Sequence, residues 1–308
     1  MLIHFLQYDR VYKIWIDFCA ENGLNEFDAG HESVASCLSL VMSESGSISK
    51  VSMLSAAIAN EHRIRMKISP TTHESISKLF RGFHLCHSKT RNPVLPITDD
   101  ILRRLMNHLY QPAHGRDGLK ASLVTWRTVW RIVIEYHTLG RFSDVATLQR
   151  SQVKFIETPA LHLKILFKDG KNDLYNEGSE RVVAADTRDP TYCPVQLTKN
   201  YFQFLGSSYT GYLVPASTPK FLPDPLKSVP YNGALEDLRS VFSLLGIQGR
   251  YGEHSGKRGA TTAAAENGMS FPELKRLGGW RSDSVPSKYI DQSVETRLKL
   301  SNMLKKKL

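Results

Sequence analysis

The sequence has few cysteines and tryptophans, four of each in 308 residues, and no long apolar run. Cys19, Cys37, Cys86 and Cys193 lie far apart without a C-x-x-C pair, which excludes a zinc knuckle or a disulfide framework and predicts buried thiols. No stretch approaches the roughly 18 apolar residues that span a bilayer. Residues Met1 to Val11 also lack the basic start and small-residue cleavage site of a secretory signal. The expectation is a soluble intracellular protein with no membrane partner. Internal repeats are absent as well, and so is any carboxylate or cysteine–histidine cluster that would hold a metal.

What is present fits a folded chain with an anionic partner. Hydrophobic residues make up 41% and charged residues 23%, ordinary globular usage, and the length suggests two domains. Net charge is +10 and the isoelectric point about 9.4. Residues 1–91 hold about 10 basic and 9 acidic residues, so the excess lies beyond them and the anion-binding surface is expected there.

Helical spacing of Tyr8, Val11, Trp15 and Phe18 opens the chain. It continues through Val34, Cys37, Leu38 and Val41, then Val51, Leu54 and Ile58, and then Ile76 to Phe83, which predicts a four-helix unit. The segment Ser88 to Pro96 carries two prolines among polar residues, and Thr98 before Asp99-Asp100 reads as a helix cap, placing a boundary between domains 1–91 and 92–308. From Gly118 to Tyr136 the apolar positions cover most of a helix surface, which predicts the core helix of the second domain. Thr138-Leu139-Gly140 marks its end, and Ser143 reads as the cap of a following helix through Leu148, leaving Arg141 at a corner. The period then changes to that of strands at Val153 to Ile156, Leu161 to Phe167 and Arg181 to Ala184. Cys193-Pro194-Val195 opens another helix, the Pro-rich stretch Leu213 to Pro230 reads as loop, and helices resume from Leu235. The fold class is mainly α with a small antiparallel β-sheet.

Several clusters pair a cation with a local structural stop. His254-Ser-Gly-Lys257-Arg258-Gly opens a small-residue helix, whose amide-rich N-terminus is a natural place for phosphate. Leu277-Gly-Gly-Trp280-Arg281 follows, and Tyr289 lies nine residues after Trp280. Singly, each has an ordinary account: a capped surface helix, or a core aromatic with a polar tip. Together with Leu139-Gly-Arg141-Phe-Ser-Asp144-Val and the Lys171 turn, they resemble the tyrosine recombinase (phage integrase) family in order and spacing. Lys171-Asn-Asp-Leu-Tyr-Asn-Glu-Gly and Cys193-Pro-Val resemble the recombinases of eukaryotic mobile elements of the DIRS and Crypton types.

That resemblance implies a helical core-binding domain of SAM-like type over 1–91 and a catalytic domain over 92–308. It implies cleavage and rejoining of double-stranded DNA by a homotetramer, in the nucleus. Tyr289 is then the nucleophile that forms a 3′-phosphotyrosine. Arg141, His254 and Trp280 grip or position the phosphate, Lys171 protonates the leaving 5′ oxygen, and Arg258 and Arg281 add DNA contacts. Because the phosphotyrosine keeps the bond energy, no cofactor or metal is implied. The family's second arginine falls at Lys257, a compact charge in place of a two-pronged donor. Losing one preorganised donor costs on the order of 10² to 10³ in rate. The alternative is therefore a DNA-binding descendant with weak or no catalysis, and a third reading is a relaxing activity of type IB topoisomerase kind.

Overall fold

Amphipathic spacing in the first 86 residues produces four helices: α1 (Leu2–Glu21), α2 (His31–Ser45), α3 (Ile48–Ile64) and α4 (Glu74–Cys86). A computed structural model of the chain describes residues 2–87, 94–110, 118–168 and 178–280, and the chain divides into two compact units, 1–92 and 93–308. In the first unit α3 packs on α1 and α2, and α4 on α2. The facing stripes bury Trp15, Leu38, Met42, Leu54, Ile58 and Ile76. Local chemistry fixes the helix ends: Gly46 adopts a left-handed turn after α2, and the Ser47 hydroxyl accepts from the Lys50 amide at 3.3 Å to start α3. Cys19 and Cys37 are buried, and burial raises their thiols to about 11 and about 12, whereas Cys86 is exposed. The expectation of four buried thiols fails there, because Cys86 is the last residue of α4, at the exposed end of the helix.

The second unit is built around one helix. Its elements begin with α5 (Asp99–Leu109), α6 (Gly118–Thr138), α7 (Phe142–Ala146), β1 (Val153–Ile156), β2 (His162–Phe167) and β3 (Ser179–Ala184). They continue with α8 (Pro194–Leu205), β4 (Pro215–Ser217), β5 (Pro223–Ser228), α9 (Tyr231–Leu244), α10 (Ser255–Glu266) and α11 (Phe271–Gly278). Helix α6 carries Leu123, Val129, Trp130, Ile132, Val133 and Ile134 fully into the core and touches α5, α7, α8, α9 and α10. The three longer strands form an antiparallel sheet in the order β1-β2-β3, and alternation along β2 buries Leu163, Ile165 and Phe167. Thr98 caps α5 as its sequence position predicts, accepting from the Ile101 amide at 3.4 Å. Among the described residues no helix is long and apolar enough to cross a membrane.

Two expectations change. The Pro-rich stretch from 213 to 230 is not all loop, since β4 and β5 pair within it. A two-stranded ladder has only edge strands, where a proline's missing amide can face outward without breaking a bond. Helix α7 is capped by Arg141 rather than Ser143, and it ends at Ala146 rather than Leu148. Asp144 explains the shift, because its carboxylate accepts the Arg141 amide at 3.2 Å and so starts the helix one residue beyond Arg141.

Candidate active site

Arg141 is held between two turns. At the end of α6 the Gly140 amide donates to the Glu135 carbonyl at 3.0 Å and the Leu139 amide to the Tyr136 carbonyl at 3.3 Å, the paired bonds of a Schellman turn. The left-handed residue is Leu139, at φ +51°, where glycine is usual. Leucine there costs about 1–2 kcal/mol. Its side chain is buried against Ala260, Leu274 and Trp280, and removing such a side chain from water contributes about 1.5–3 kcal/mol, enough to offset the backbone cost. The corner before Arg141 is thereby fastened to α10 and α11.

Helix α10 brings the second cluster. His254 is its N-cap and is exposed, with its carbonyl accepting the Arg258 amide at 2.9 Å. The helix docks by backbone contact: the Ile97 amide donates to the Ser255 carbonyl at 3.0 Å, and a Cβ on Gly259 would collide with the Ile97 carbonyl. This orientation points Lys257 inward. The lysine is 3% exposed, and its Nζ sits 4.5 Å from the centre of the Trp280 ring. Burial, then the nearby Arg141 and Arg181 guanidiniums, lower its ammonium to about 7, with Asp144 acting in the opposite sense. Arg258 is half-buried at the next position, about 100° around the helix, so the residue facing Trp280 is the lysine.

Helix α11 supplies the third. Ser270 and Glu273 cap its start, the Ser270 amide donating to Glu273 Oε2 at 2.8 Å. A second Schellman turn ends it, with Trp280 N donating to the Lys275 carbonyl at 3.0 Å and Gly279 N to Arg276 at 3.2 Å. Gly279 has φ +62°, and Gly278 lies so close to the indole that a Cβ would press on it at 2.6 Å. The double glycine thus folds Trp280 back into the cluster, where it is 6% exposed.

Arg141, Lys257 and Trp280, far apart in sequence, therefore meet around Asp144. His254 lies at the start of the same helix, three residues before Lys257. Tyr289, Lys171 and Arg281 lie outside the described residues. Two features were not anticipated. Arg181 on β3 joins the cluster, and its guanidinium is shifted downward by burial, with Asp144 opposing. Glu135 is buried in an ion pair with Arg131 at 2.7 Å and borders Gly256 in the first turn of α10. Burial raises the Glu135 carboxyl, and Arg131 counters it. The signals were a charged residue on the Val183 face of β3, and charges spaced four apart inside an otherwise apolar helix.

A concavity of about 1320 Å³ is lined by Leu139, Arg181, Ala260 and Arg276 but by neither Arg141 nor Lys257. Another of about 830 Å³ opens beside His254, with Arg239, Arg250 and Tyr251.

No protein-family model matches the chain, and no curated protein matches it. Solved structures do. The Tn1549 transposon integrase, in complex with transposon right end DNA, aligns with a TM-score of 0.57 at 11% identity, over 96% of this chain and 99% of that one. The XerH site-specific recombinase, bound to palindromic difH substrate, aligns at 0.55 and 11% identity, over 90% of this chain and 70% of that one. A lambda integrase dimer bound to a COC' core site aligns at 0.54 and 12%, over 92% and 88%. The chain has the fold of the tyrosine recombinases and integrases.

Proposed function

We propose that this protein is a DNA strand-transferase that cuts and rejoins duplex DNA at specific sites through a 3′-phosphotyrosine. The observation that carries the reading is the meeting of Arg141, Lys257 and Trp280 in one cationic cluster around Asp144. That cluster is built on the fold of proteins whose solved forms hold transposon-end, difH and core-site DNA.

The chemistry requires donors at the non-bridging oxygens, where negative charge grows as the phosphorus becomes five-coordinate. Arg141, His254 and the indole N–H of Trp280 supply donors that grip or position the phosphate. In this reading the Tyr289 oxygen forms a bond to phosphorus as the bond to the 5′ oxygen breaks. Lys171 delivers the proton that the departing oxygen needs. The phenol, with an ordinary pKa near 10, loses its own proton more readily in this cationic neighbourhood. Retained bond energy lets a 5′ hydroxyl reverse the step, so the chemistry asks for no nucleotide or metal. Residues 1–91 act as the second arm of a DNA clamp on the catalytic unit at 92–308. Arg258 and Arg281 contact flanking phosphates, and four copies assemble on DNA. A mobile-element recombinase of DIRS or Crypton type, working in the nucleus, is the finer form of the proposal.

A second reading has its own observation. Lys257 is enclosed on the Trp280 ring and shifted toward neutrality, so it offers less to a phosphate than an arginine fork would, which favours a DNA-binding descendant with little catalysis. A pool of nicked suicide duplexes with randomised arms tests both. The strand-transfer reading expects a detergent-resistant protein–DNA adduct that disappears in Tyr289→Phe. Salt-dependent binding without an adduct supports the binding reading, and no DNA binding at low salt refutes both.

A further inference from the structure

A charged side chain on the buried face of a strand needs a reason. Arg181 lies opposite Ile165 across β2 and β3. Directly opposed residues of antiparallel strands share a face, so Arg181 is on the side that buries Leu163, Ile165 and Val183. Its guanidinium lies over Gly279, so close that a Cβ at that position would strike Nη2. Gly279 immediately precedes Trp280, whose ring carries the Lys257 ammonium at 4.5 Å. The arginine is half-buried, and it donates to its neighbour's carbonyl, Glu180 O, at 3.2 Å. Among the described residues no carboxylate lies within ion-pair distance of either Arg181 or Arg141. Two guanidiniums without carboxylate partners thus border one acid, Asp144, at a site that an anion would neutralise.

Lys257, by contrast, is enclosed. The position where the arginine-box pattern places a second fork is filled by a side chain turned onto an indole, while a real fork enters the same cluster from β3.

We infer that Arg181 is the second guanidinium of the phosphate grip, holding a non-bridging oxygen of the scissile phosphate opposite Arg141 and taking the role that Lys257 leaves open. The inference rests on the strand-transfer reading. Its rival is structural: β3 is an edge strand, and an inward charge on an edge discourages pairing with other chains. A charge kept for that purpose has no relation to the phosphate.

The test uses the full chain and a nicked duplex recovered from the adduct-forming pool. It is made once with an ordinary scissile phosphate and once with each methylphosphonate diastereomer, in which a neutral methyl replaces one non-bridging oxygen. Arg181→Ala is expected to slow adduct formation on the phosphodiester by about 100-fold, and Arg181→Lys to recover only part of the loss. On the diastereomer lacking the oxygen that Arg181 holds, the native chain and Arg181→Ala should agree within about threefold, because no contact remains to be lost. A loss of equal size on all three substrates, or a phosphodiester rate within threefold of native, overturns the inference. If Arg181→Ala melts below the assay temperature, Arg181→Gln carries the same comparison. Failure of the underlying reading looks different: the native chain itself forms no Tyr289-dependent adduct, and the inference falls with it.

Discussion

Lys257→Met removes a cation from a site that opposes it. The ammonium is 3% exposed and has Arg141 and Arg181 for neighbours, and it loses its proton at about 7 in place of the ordinary 10.5. At about 1.36 kcal/mol per decade of acidity, keeping that proton in the folded chain costs about 5 kcal/mol. That figure is net of the contact with the Trp280 ring, itself worth about 1 kcal/mol, so burial outweighs the cation–π attraction. The sign follows from proton counting. Below about pH 7 both folded and unfolded chains carry the proton, and the cost is fully present. Between about 7 and 10.5 the unfolded chain holds a proton that the folded chain has released, so native stability rises with pH. Methionine has no proton to release and fills a similar volume. Urea unfolding followed by far-UV circular dichroism should therefore find Lys257→Met more stable than native by about 5 kcal/mol at pH 6.5 and by only about 2 kcal/mol at pH 9. The reasoning fails if the difference is the same at both pH values, or if the variant is the less stable protein at pH 6.5.

Two further perturbations examine the turns and contacts that place the cluster. Gly259→Ala drives a methyl group into the Ile97 carbonyl and should destabilise the fold by about 2–3 kcal/mol, read as a lowered melting temperature, and an unchanged melt would contradict the close approach. At Leu139 the usual ranking should invert. Leu139→Gly loses the buried side chain but relieves the left-handed strain, whereas Leu139→Ala loses the side chain and keeps the strain, so denaturant titration should find alanine the worse by about 1 kcal/mol. Glycine being the less stable of the two would refute the account of the corner.

Much of the frame was legible because it is written in local patterns. The apolar positions of α6, the Thr98 cap, the alternation of β2 and the small residues of α10 depend on neighbours in sequence, and each forms as its spacing predicts. Expectations failed where one residue's role is decided by a partner on another element, or by competition within a turn. Ser143 is a good cap by type, yet the Asp144 carboxylate reaches the Arg141 amide and moves the start of α7. Thr138-Leu139-Gly140 marks the end of α6 in sequence, but that Leu139 takes the left-handed conformation depends on Ala260, Leu274 and Trp280, which reward its burial. Prolines at 215 and 223 argued for loop, and ladder pairing of two edge strands accommodates them. The same limit applies to the site. Arg141, Lys257 and Trp280 stand out as motif residues, whereas Arg181 belongs to no motif, and its membership emerges only from the β2–β3 register and from Gly279.

Leu139 has a bearing on when the cationic cluster assembles. Its side chain is the wedge that couples the Arg141 corner to segments made more than a hundred residues later. During synthesis, a ribosome that has passed residue 260 has already delivered both Arg141 and Lys257. Without Leu274 and Trp280 the leucine has little to bury against, and its strained backbone conformation is free to relax. A truncated or half-made chain would own the cations yet not the arrangement, so the cluster closes only once α11 and the turn that follows it are in place.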